Sequence, residues 1–234
     1  MTPVPVHAAA IVVLAAGTGS RVGAEVNKVL LDLDGIPLLA HSLRTALEVQ
    51  DVHRIVVVVR PEDREQVSAA LAPHLGTYDV WMVEGGNERQ DSELRALEAL
   101  RPDIESGEID VVAIHDGARP LAGAALFRTA IEVARQHGAA VPARAVSGLV
   151  DLDGTPATGD LVGVQTPQAF RAVELLAAYT MAAADGFTGT DTAASLERYA
   201  DLRIHAIEGE ARNLKVTFAE DLALAEQLVR SAND

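Results

Sequence analysis

The sequence predicts an α/β fold, a mainly parallel sheet with helices on both faces and a projecting β-arm. Three observations lead there. Continuous apolar runs of strand length, residues 9–14 (AAIVVL) and 54–59 (RIVVVV), have the pattern of strands covered on both faces. Longer amphipathic segments separate such runs, and the alternation repeats along the chain, which is Rossmann-like. Residues 147–160 break the rhythm with a short apolar patch, an Asp-Gly turn and then Thr, Pro and Gly, as expected of a hairpin that leaves the sheet. No linker composition divides the 234 residues, so a single domain over 1–234 is expected, with an arm at about 145–160.

In chain order, strands are expected at 9–14, 54–59, 80–83, 110–115 and 139–143. The helix expected at 61–75 opens with Pro-Glu-Asp and carries Val67, Leu71 and Leu75 four residues apart. Residues 91–100 place Leu94, Leu97 and Leu100 at three-residue spacing. Similar patterns occupy 121–137 and 218–229, the latter with Ala-Glu-Asp in its first turn. Residues 213–216 read as a short strand before that last helix.

Composition narrows the function. Hydrophobic residues make up 49% and aromatics only 3%, so the core is built from Ala, Val, Leu and Ile. The net charge of −15 argues against nucleic-acid or membrane partners, since both are polyanions that such a field repels. A small anion held by a local cationic cluster remains compatible with it. The absence of cysteine removes disulfides, thiolate metal sites and cysteine nucleophiles. The apolar run 8–16 has about the length of a signal-peptide core. No basic residue precedes it, however, and a Gly-rich stretch follows, so it reads as a buried first strand of a soluble, cytoplasmic protein.

In an open α/β sheet, ligands bind at the carboxyl ends of the strands. After the first strand come Ala15, Ala16, Gly17, Thr18, Gly19, Ser20, Arg21, Val22 and Gly23, with Lys28 beyond. Glycines at 17 and 19 let main-chain N–H groups approach a phosphate. Val22 rules out the dinucleotide fingerprint, and Gly23-Ala24-Glu25 is not a Walker lysine. Only Lys28 and Lys215 are lysines among 19 basic residues. Against such an arginine bias a retained lysine suggests a place for a compact point charge; chance survival accounts for either lysine taken alone, and strand-end loops converging in this fold would allow one shared site for the two. A second glycine pair, Gly85-Gly86, leads through Asn87, Glu88 and Arg89 to Ser92, a loop suited either to base recognition or simply to capping a helix. His115-Asp116-Gly117-Ala118-Arg119-Pro120 sets an acid and a cation on one loop, while a lone His is more often structural.

The loop 14–23 with Lys28 resembles the signature of nucleotidyltransferases that join a nucleoside monophosphate to a sugar or polyol phosphate. The runs 115–120 and 165–170, Thr190-Asp191 with Ala194-Ser195, and 213–217 with Glu220-Asp221-Leu222 narrow this. Together they are similar to the 2-C-methyl-D-erythritol 4-phosphate cytidylyltransferase family of non-mevalonate isoprenoid synthesis, over nearly the whole chain. The resemblance implies a cytosolic, Mg2+-dependent, usually homodimeric enzyme that makes a cytidine diphosphate–polyol and pyrophosphate from CTP. It implies Arg21, Lys28 and Lys215 as catalytic cations. Ala15, Ala16, Gly17, Gly19, Gly86, Asn87 and Ser92 would line the nucleotide, and Asp116, Arg119, Thr166 and Thr190 would join Lys215 around the polyol phosphate.

The departures fall on the acceptor side. In the family the arm carries an Asp-Thr-Ile/Met-Lys run and a later arginine that reaches the acceptor phosphate across the dimer. Here the matching stretch is Ala145-Val146-Ser147-Gly148, and the later arginine is replaced near Thr158 in a shorter arm. Arg144 is a candidate substitute, and Asn27 stands where a proline is usual. Two other readings follow, a cytidylyltransferase for another polyol or sugar phosphate such as ribitol 5-phosphate, and a catalytically weak nucleotide-binding paralogue. Retention of Arg21, Lys28, Asp116 and Lys215 speaks against the last. A molybdopterin-type nucleotidyltransferase shares the first loop but does not account for the later motifs.

Overall fold

The computed structural model describes residues 8–17, 27–189 and 192–233. β1 (Ala8–Leu14) is followed by a small hairpin of β2 (Asp32–Leu33) and β3 (Ile36–Pro37), then α1 (Leu38–Leu47). β4 (Val52–Val59), α2 (Arg64–Leu75), β5 (Trp81–Glu84), α3 (Arg89–Glu105), β6 (Ile109–Asp116) and α4 (Ala124–His137) follow. β7 (Ala139–Ala145) runs out to the arm, which returns through β8 (Val162–Val164) into β9 (Gln168–Arg171). The chain closes with α5 (Ala172–Ala184), α6 (Thr192–Tyr199), β10 (Ile204–Glu208) and α7 (Ala219–Asn233).

The main sheet has the order β10-β7-β9-β6-β1-β4-β5, with β8 on the outer end of β7. β1 pairs in parallel with β4 and β6, β4 with β5, and β7 with β10. β9 runs antiparallel to both β6 and β7. Alternation along β1 explains why a run of consecutive apolar residues is needed. Ile11 and Val13 face a cluster with Leu39, Leu43, Val67, Leu71 and Phe127, under α1, α2 and α4. Ala10 and Val12 face the opposite cluster with Leu97, Leu100, Leu175 and Tyr179, under α3 and α5. A third cluster of Leu33, Leu38, Leu121, Val216 and Ala225 seats α7 against the small hairpin.

The expected strands and helices are present within a few residues of their predicted bounds, and the arm is a hairpin. Its strands meet at the Val150–Pro156 bridge, and Asp151 N–H donates to Thr155 O across the tip. One expectation is corrected. Residues 213–216 form no strand; they are an extended segment tied to the fold by Val216 N–H donating to Ala118 O at 2.8 Å. The sequence reading also passed over α1, α5, α6, β9 and β10. α5 (AVELLAAYTMAAA) lacks a legible stripe because its exposed side, with Val173, Ala177 and Met181, is nearly as apolar as its buried one.

The turn from α4 into β7 shows how tightly elements follow one another. Gly138 sits at φ 105°, and its N–H donates to Ala134 O at 2.7 Å. A Cβ there would lie 2.7 Å from the Leu202 side chain, so both conformation and space require glycine.

Leu97 is fully buried on the inner face of α3. Leu97→Ala is expected to lower unfolding free energy by about 2–5 kcal/mol, measurable by chemical denaturation, through lost transfer energy and a residual cavity.

Candidate active site

The cleft forms where the central strands end. Leu14 is the register partner of Asp116, and the next residue, Ala15, donates its N–H to Val58 O at 2.7 Å. Gly85 N–H donates to Val59 O at 2.7 Å, which brings the loop after β5 beside the loop after β1. A Cβ on Gly85 would lie 2.7 Å from Ala16 Cβ, and one on Gly86 would lie 2.2 Å from Asp91 Cβ, so this approach admits only glycine. The resulting cavity, about 350 Å³, is lined by Ala16, Gly17, Lys28, Gly86, Asn87 and Ser92, with Arg89, Asp116, Lys215 and Thr217 among the remaining wall residues.

The loop after β5 is braced from inside α3. Glu88 caps the helix, accepting the Asp91 N–H while Asp91 accepts the Glu88 N–H, a reciprocal capping box. Ser92 accepts from Gly86 N–H at 3.1 Å and donates to Glu88 O at 3.1 Å. Its hydroxyl therefore sets the shape of the glycine turn as well as lining the cleft. The capping and the ligand-facing readings of this loop coexist.

Asn27 positions the first lysine. Its side chain accepts from Val29 N–H and donates to Ala15 O at 3.0 Å and Asp63 Oδ2 at 2.7 Å, joining the end of β1 to the turn after β4. Lys28 then lies on a buried 3-10 turn with its Nζ donating to Val216 O at 3.2 Å, next to Lys215. The two lysines thus reach one site from positions far apart in the chain.

Asp116 is the hub of the floor. Its Oδ1 takes Arg89 Nη1 at 2.5 Å, its Oδ2 takes Lys215 Nζ at 2.8 Å, and Arg119 Nε stands 3.6 Å from Oδ2. Burial disfavours the charged carboxylate, but Arg89 and Lys215 outweigh it and hold this carboxyl well below its usual range. Asp116 is therefore an anion throughout ordinary pH.

Beneath the hub, Thr166 and His115 fix the loop. Thr166 Oγ1 accepts from Asp116 N–H at 3.0 Å and lies 3.1 Å from His115 Nδ1, while His115 Nε2 lies 3.2 Å from Arg119 O. This geometry suits a neutral imidazole that receives the threonine proton and donates its own to Arg119 O. Burial pushes the His115 pKa down to about 4, with the Asp116 charge opposing it in part.

Of the predicted site residues, the structure brings Ala16, Gly17, Lys28, Gly86, Asn87, Ser92, Asp116 and Lys215 to one cleft. Ala15 lies just below with its side chain in the core. Arg119 and Thr166 sit behind the wall; Arg119 donates to Asn213 O at 2.7 Å and Thr166 is buried. Gly19, Arg21 and Thr190 lie outside the described residues. Arg144 is exposed on β7, opposite Gly163 of β8.

Two residues without an assigned role prove structural to the site. Arg89 closes the Asp116 hub, and Asn213 carries the Lys215 segment by donating to Thr166 O at 2.8 Å. Both stood inside motifs that were recognised, but sequence spacing does not show that a side chain turns inward.

The described donors do not form a protein cage for magnesium. Asp116 is occupied by cations, and Glu88 is engaged in capping α3. His53, Asp103 and Glu108 do place ligand atoms within 4.8 Å of one another, but His53 is at the amino end of β4, and Arg54 Nε already stands 3.0 Å from Asp103.

Two measurements test the local physics. Asn27→Ala, which leaves buried partners unsatisfied, is expected to cost about 1–3 kcal/mol in denaturant unfolding. For His115 the folded pKa is depressed from 6.5 to about 4, so the unfolded chain takes the proton first. Its contribution to stability is full above about 6.5 and declines toward pH 4, at a limiting slope of about 1.4 kcal/mol per pH unit. His115→Gln is expected to flatten that part of the stability–pH curve.

A family model described as 2-C-methyl-D-erythritol 4-phosphate cytidylyltransferase matches residues 9–231. A protein of that name from Geotalea uraniireducens is 39% identical over 226 residues, covering 94% of this chain and 95% of the relative. One from Shouchella clausii is 38% identical over 227 residues, with 94% and 96% covered. Among solved structures, 4-diphosphocytidyl-2C-methyl-D-erythritol synthase from Anaerococcus prevotii superposes with a TM-score of 0.79 at 28% identity, covering 96% of this chain and 97% of that one. The Thermus thermophilus cytidylyltransferase gives 0.74 at 27%, with 95% and 99% covered. Matched along nearly its entire length in both sequence and fold, the chain belongs to the 2-C-methyl-D-erythritol 4-phosphate cytidylyltransferase family.

Proposed function

We propose that this chain transfers CMP from CTP to 2-C-methyl-D-erythritol 4-phosphate and releases pyrophosphate. The observation that carries the reading is the convergence of Lys28 and Lys215 on a cleft walled by Gly17 and Gly86, with Asp116 fixing Lys215 at 2.8 Å. In this reading Ala15, Ala16, Gly17, Gly19, Gly86, Asn87 and Ser92 bind the nucleotide. Asp116, Arg119, Thr166 and Thr190 shape the acceptor side around Lys215. The whole chain acts as one nucleotidyltransferase domain.

The chemistry asks little covalent help from the protein. An oxygen of the acceptor phosphate attacks the α-phosphorus of CTP, the new P–O bond forms, and the bond to the bridging oxygen of pyrophosphate breaks. The acceptor is already an anion, so no general base is required, and catalysis comes from in-line positioning and charge stabilisation. Lys28 and Arg21 neutralise charge that builds on the phosphates, and Lys215 holds the attacking anion. A magnesium ion, when bound, would supply further neutralisation of the phosphates.

The arm supports a homodimer. Leu149, Val150, Leu152 and Val162 are solvent-exposed on a hairpin that projects from the sheet, a surface suited to burial against a second copy. No helix among the described residues is long and apolar enough to cross a membrane, and the cysteine-free sequence suits the cytoplasm proposed for it.

A second reading rests on the arm's charge. Residues 145–164 contain three Asp and no Lys or Arg, so this arm offers no cation to an acceptor phosphate. An acceptor phosphate must then be held elsewhere than on the arm, which changes where the polyol lies and leaves room for a different one, such as ribitol 5-phosphate, on the same CTP chemistry.

Pyrophosphate release from CTP and magnesium with each acceptor separates the two. Turnover with 2-C-methyl-D-erythritol 4-phosphate is the expected result; turnover with ribitol 5-phosphate alone selects the second reading, and CTP binding without turnover on any acceptor defeats both. Lys28→Ala and Arg21→Ala are expected to lower kcat by about 100-fold or more while weakening CTP binding far less, because the charges act mainly in the transition state. Near-normal turnover in either variant would remove that residue from the catalytic set.

A further inference from the structure

The buried acid Glu93 has no part in the chemistry described above, yet it is placed at considerable cost. It lies on α3 one turn after Arg89 and is 1% exposed. Its Oε2 accepts from the Tyr179 hydroxyl of α5, and its Oε1 accepts from Thr192 Oγ1 of α6 at 2.8 Å. Arg89 Nε stands 2.9 Å from the same Oε1. That nitrogen makes no aligned hydrogen bond, so the Arg89–Glu93 contact is charge attraction. The other end of Arg89 reaches Asp116.

An apolar trio between three helices would pack at least as well, because burying a carboxylate is unfavourable unless its charge is used. What the charge does here is fix the Arg89 guanidinium between two anions, one beneath the cleft and one on its floor. Removing the lower anion leaves Arg89 attracted by Asp116 and by any phosphate in the cavity it lines. The side chain would then be free to leave Asp116, which shares its second oxygen with Lys215.

We propose that Glu93 is a positioning residue, holding Arg89 so that Asp116 and, through it, Lys215 keep their catalytic geometry. The inference rests on the cytidylyltransferase reading of the same cleft. Gln90, one turn earlier on the same helix, supports the role of this turn as a tie across the site. Its Nε2 donates to Phe187 O at 2.6 Å and its Oε1 accepts from Gly189 N–H at 2.6 Å. The first turns of α3 thereby fasten the nucleotide-side loop to the segment that leads into α6.

Among the described residues, the groups facing Glu93 are Arg89 on its own helix, Tyr179 on α5, Thr192 on α6 and Asp116 on β6. Burial raises the Glu93 pKa, while Arg89, Tyr179 and Thr192 oppose that rise. The role requires the ionised form, so activity falls as pH drops through this pKa. Removing the tyrosine donor raises the pKa further and moves the acid limb of the kcat profile to higher pH.

Glu93→Gln keeps the size of the side chain and removes its charge. The expected result is a kcat lower by about 10- to 100-fold, with KM for CTP changed by less than about threefold, the pattern of a displaced group rather than a lost binding contact. A crystal structure of the variant is expected to show Arg89 away from Asp116. Tyr179→Phe, which keeps the charge and the packing, is expected to shift the acid limb upward. Wild-type kcat in Glu93→Gln, Arg89 still seated on Asp116, or a Tyr179→Phe profile lowered evenly without a shift would each overturn the proposal. If the wild-type chain turns over no acceptor, the functional reading fails instead, and the position of Arg89 in the Glu93→Gln crystal still decides the role of Glu93.

Discussion

A single carboxylate organises the working end of this molecule. Asp116 terminates β6, buried beside the end of β1, and three cations meet on its two oxygens, Arg119 from its own loop and Arg89 and Lys215 from distant parts of the chain. The ion cluster is tolerable in a buried place because the attraction is shared among several partners and each approaches at close range. It also resolves a conflict in the composition. In the proposed reading a chain of net charge −15 binds anions at a local group of cations, Arg89, Arg119 and Lys215, whose charge the single carboxylate of Asp116 offsets only in part. Lys215, pinned by Asp116, keeps its ammonium at the cleft without wandering toward the acidic exterior.

The architecture follows from the same demand. Glycines at 85 and 86 let two loops approach within a side chain's width, and the capping box and Ser92 then make that approach rigid. Asn27 does comparable work on the other side by holding the Lys28 turn against the end of β1. The result is a site whose walls are main chain and whose charges come from below. Such a geometry suits a ligand that presents phosphates to backbone N–H groups and a sugar or base to small side chains.

Much of this was legible in the sequence, and the parts that were not share physical causes. Doubly buried strands announced themselves through uninterrupted Val and Ile runs, and the glycine loops and both lysines could be read directly. α5 could not, because its solvent-facing side carries Val173, Ala177 and Met181 in place of the polar face that marks a helix's period. β9 went unseen because four residues of mixed polarity, Gln168–Arg171, carry too little pattern to reveal a strand. The 213–216 segment misled in the other direction: its alternation suits an extended chain, but its position over Ala118 gives it a hydrogen bond without a ladder. Arg89 and Glu93 were invisible as a pair for a different reason. Charged residues four apart on a helix usually signal a solvated face, and only the packing of α5 and α6 over them makes the pair internal.

The position of β9 governs the order in which the sheet can be assembled. β1, β4, β5 and β6 pair only with one another on that side, so a chain emerging from the ribosome holds all four by residue 116. β7 is made next but is separated from β6 by the slot that β9 will fill; of its other neighbours, β8 comes only on the return of the arm and β10 later still. Its main-chain groups therefore wait unpaired through synthesis of the whole arm. Contacts of long sequence separation close late in folding, and an unpaired strand is vulnerable to the wrong partner meanwhile. Pro142, lacking an N–H in the middle of that waiting strand, interrupts the edge a neighbouring nascent chain would have to follow.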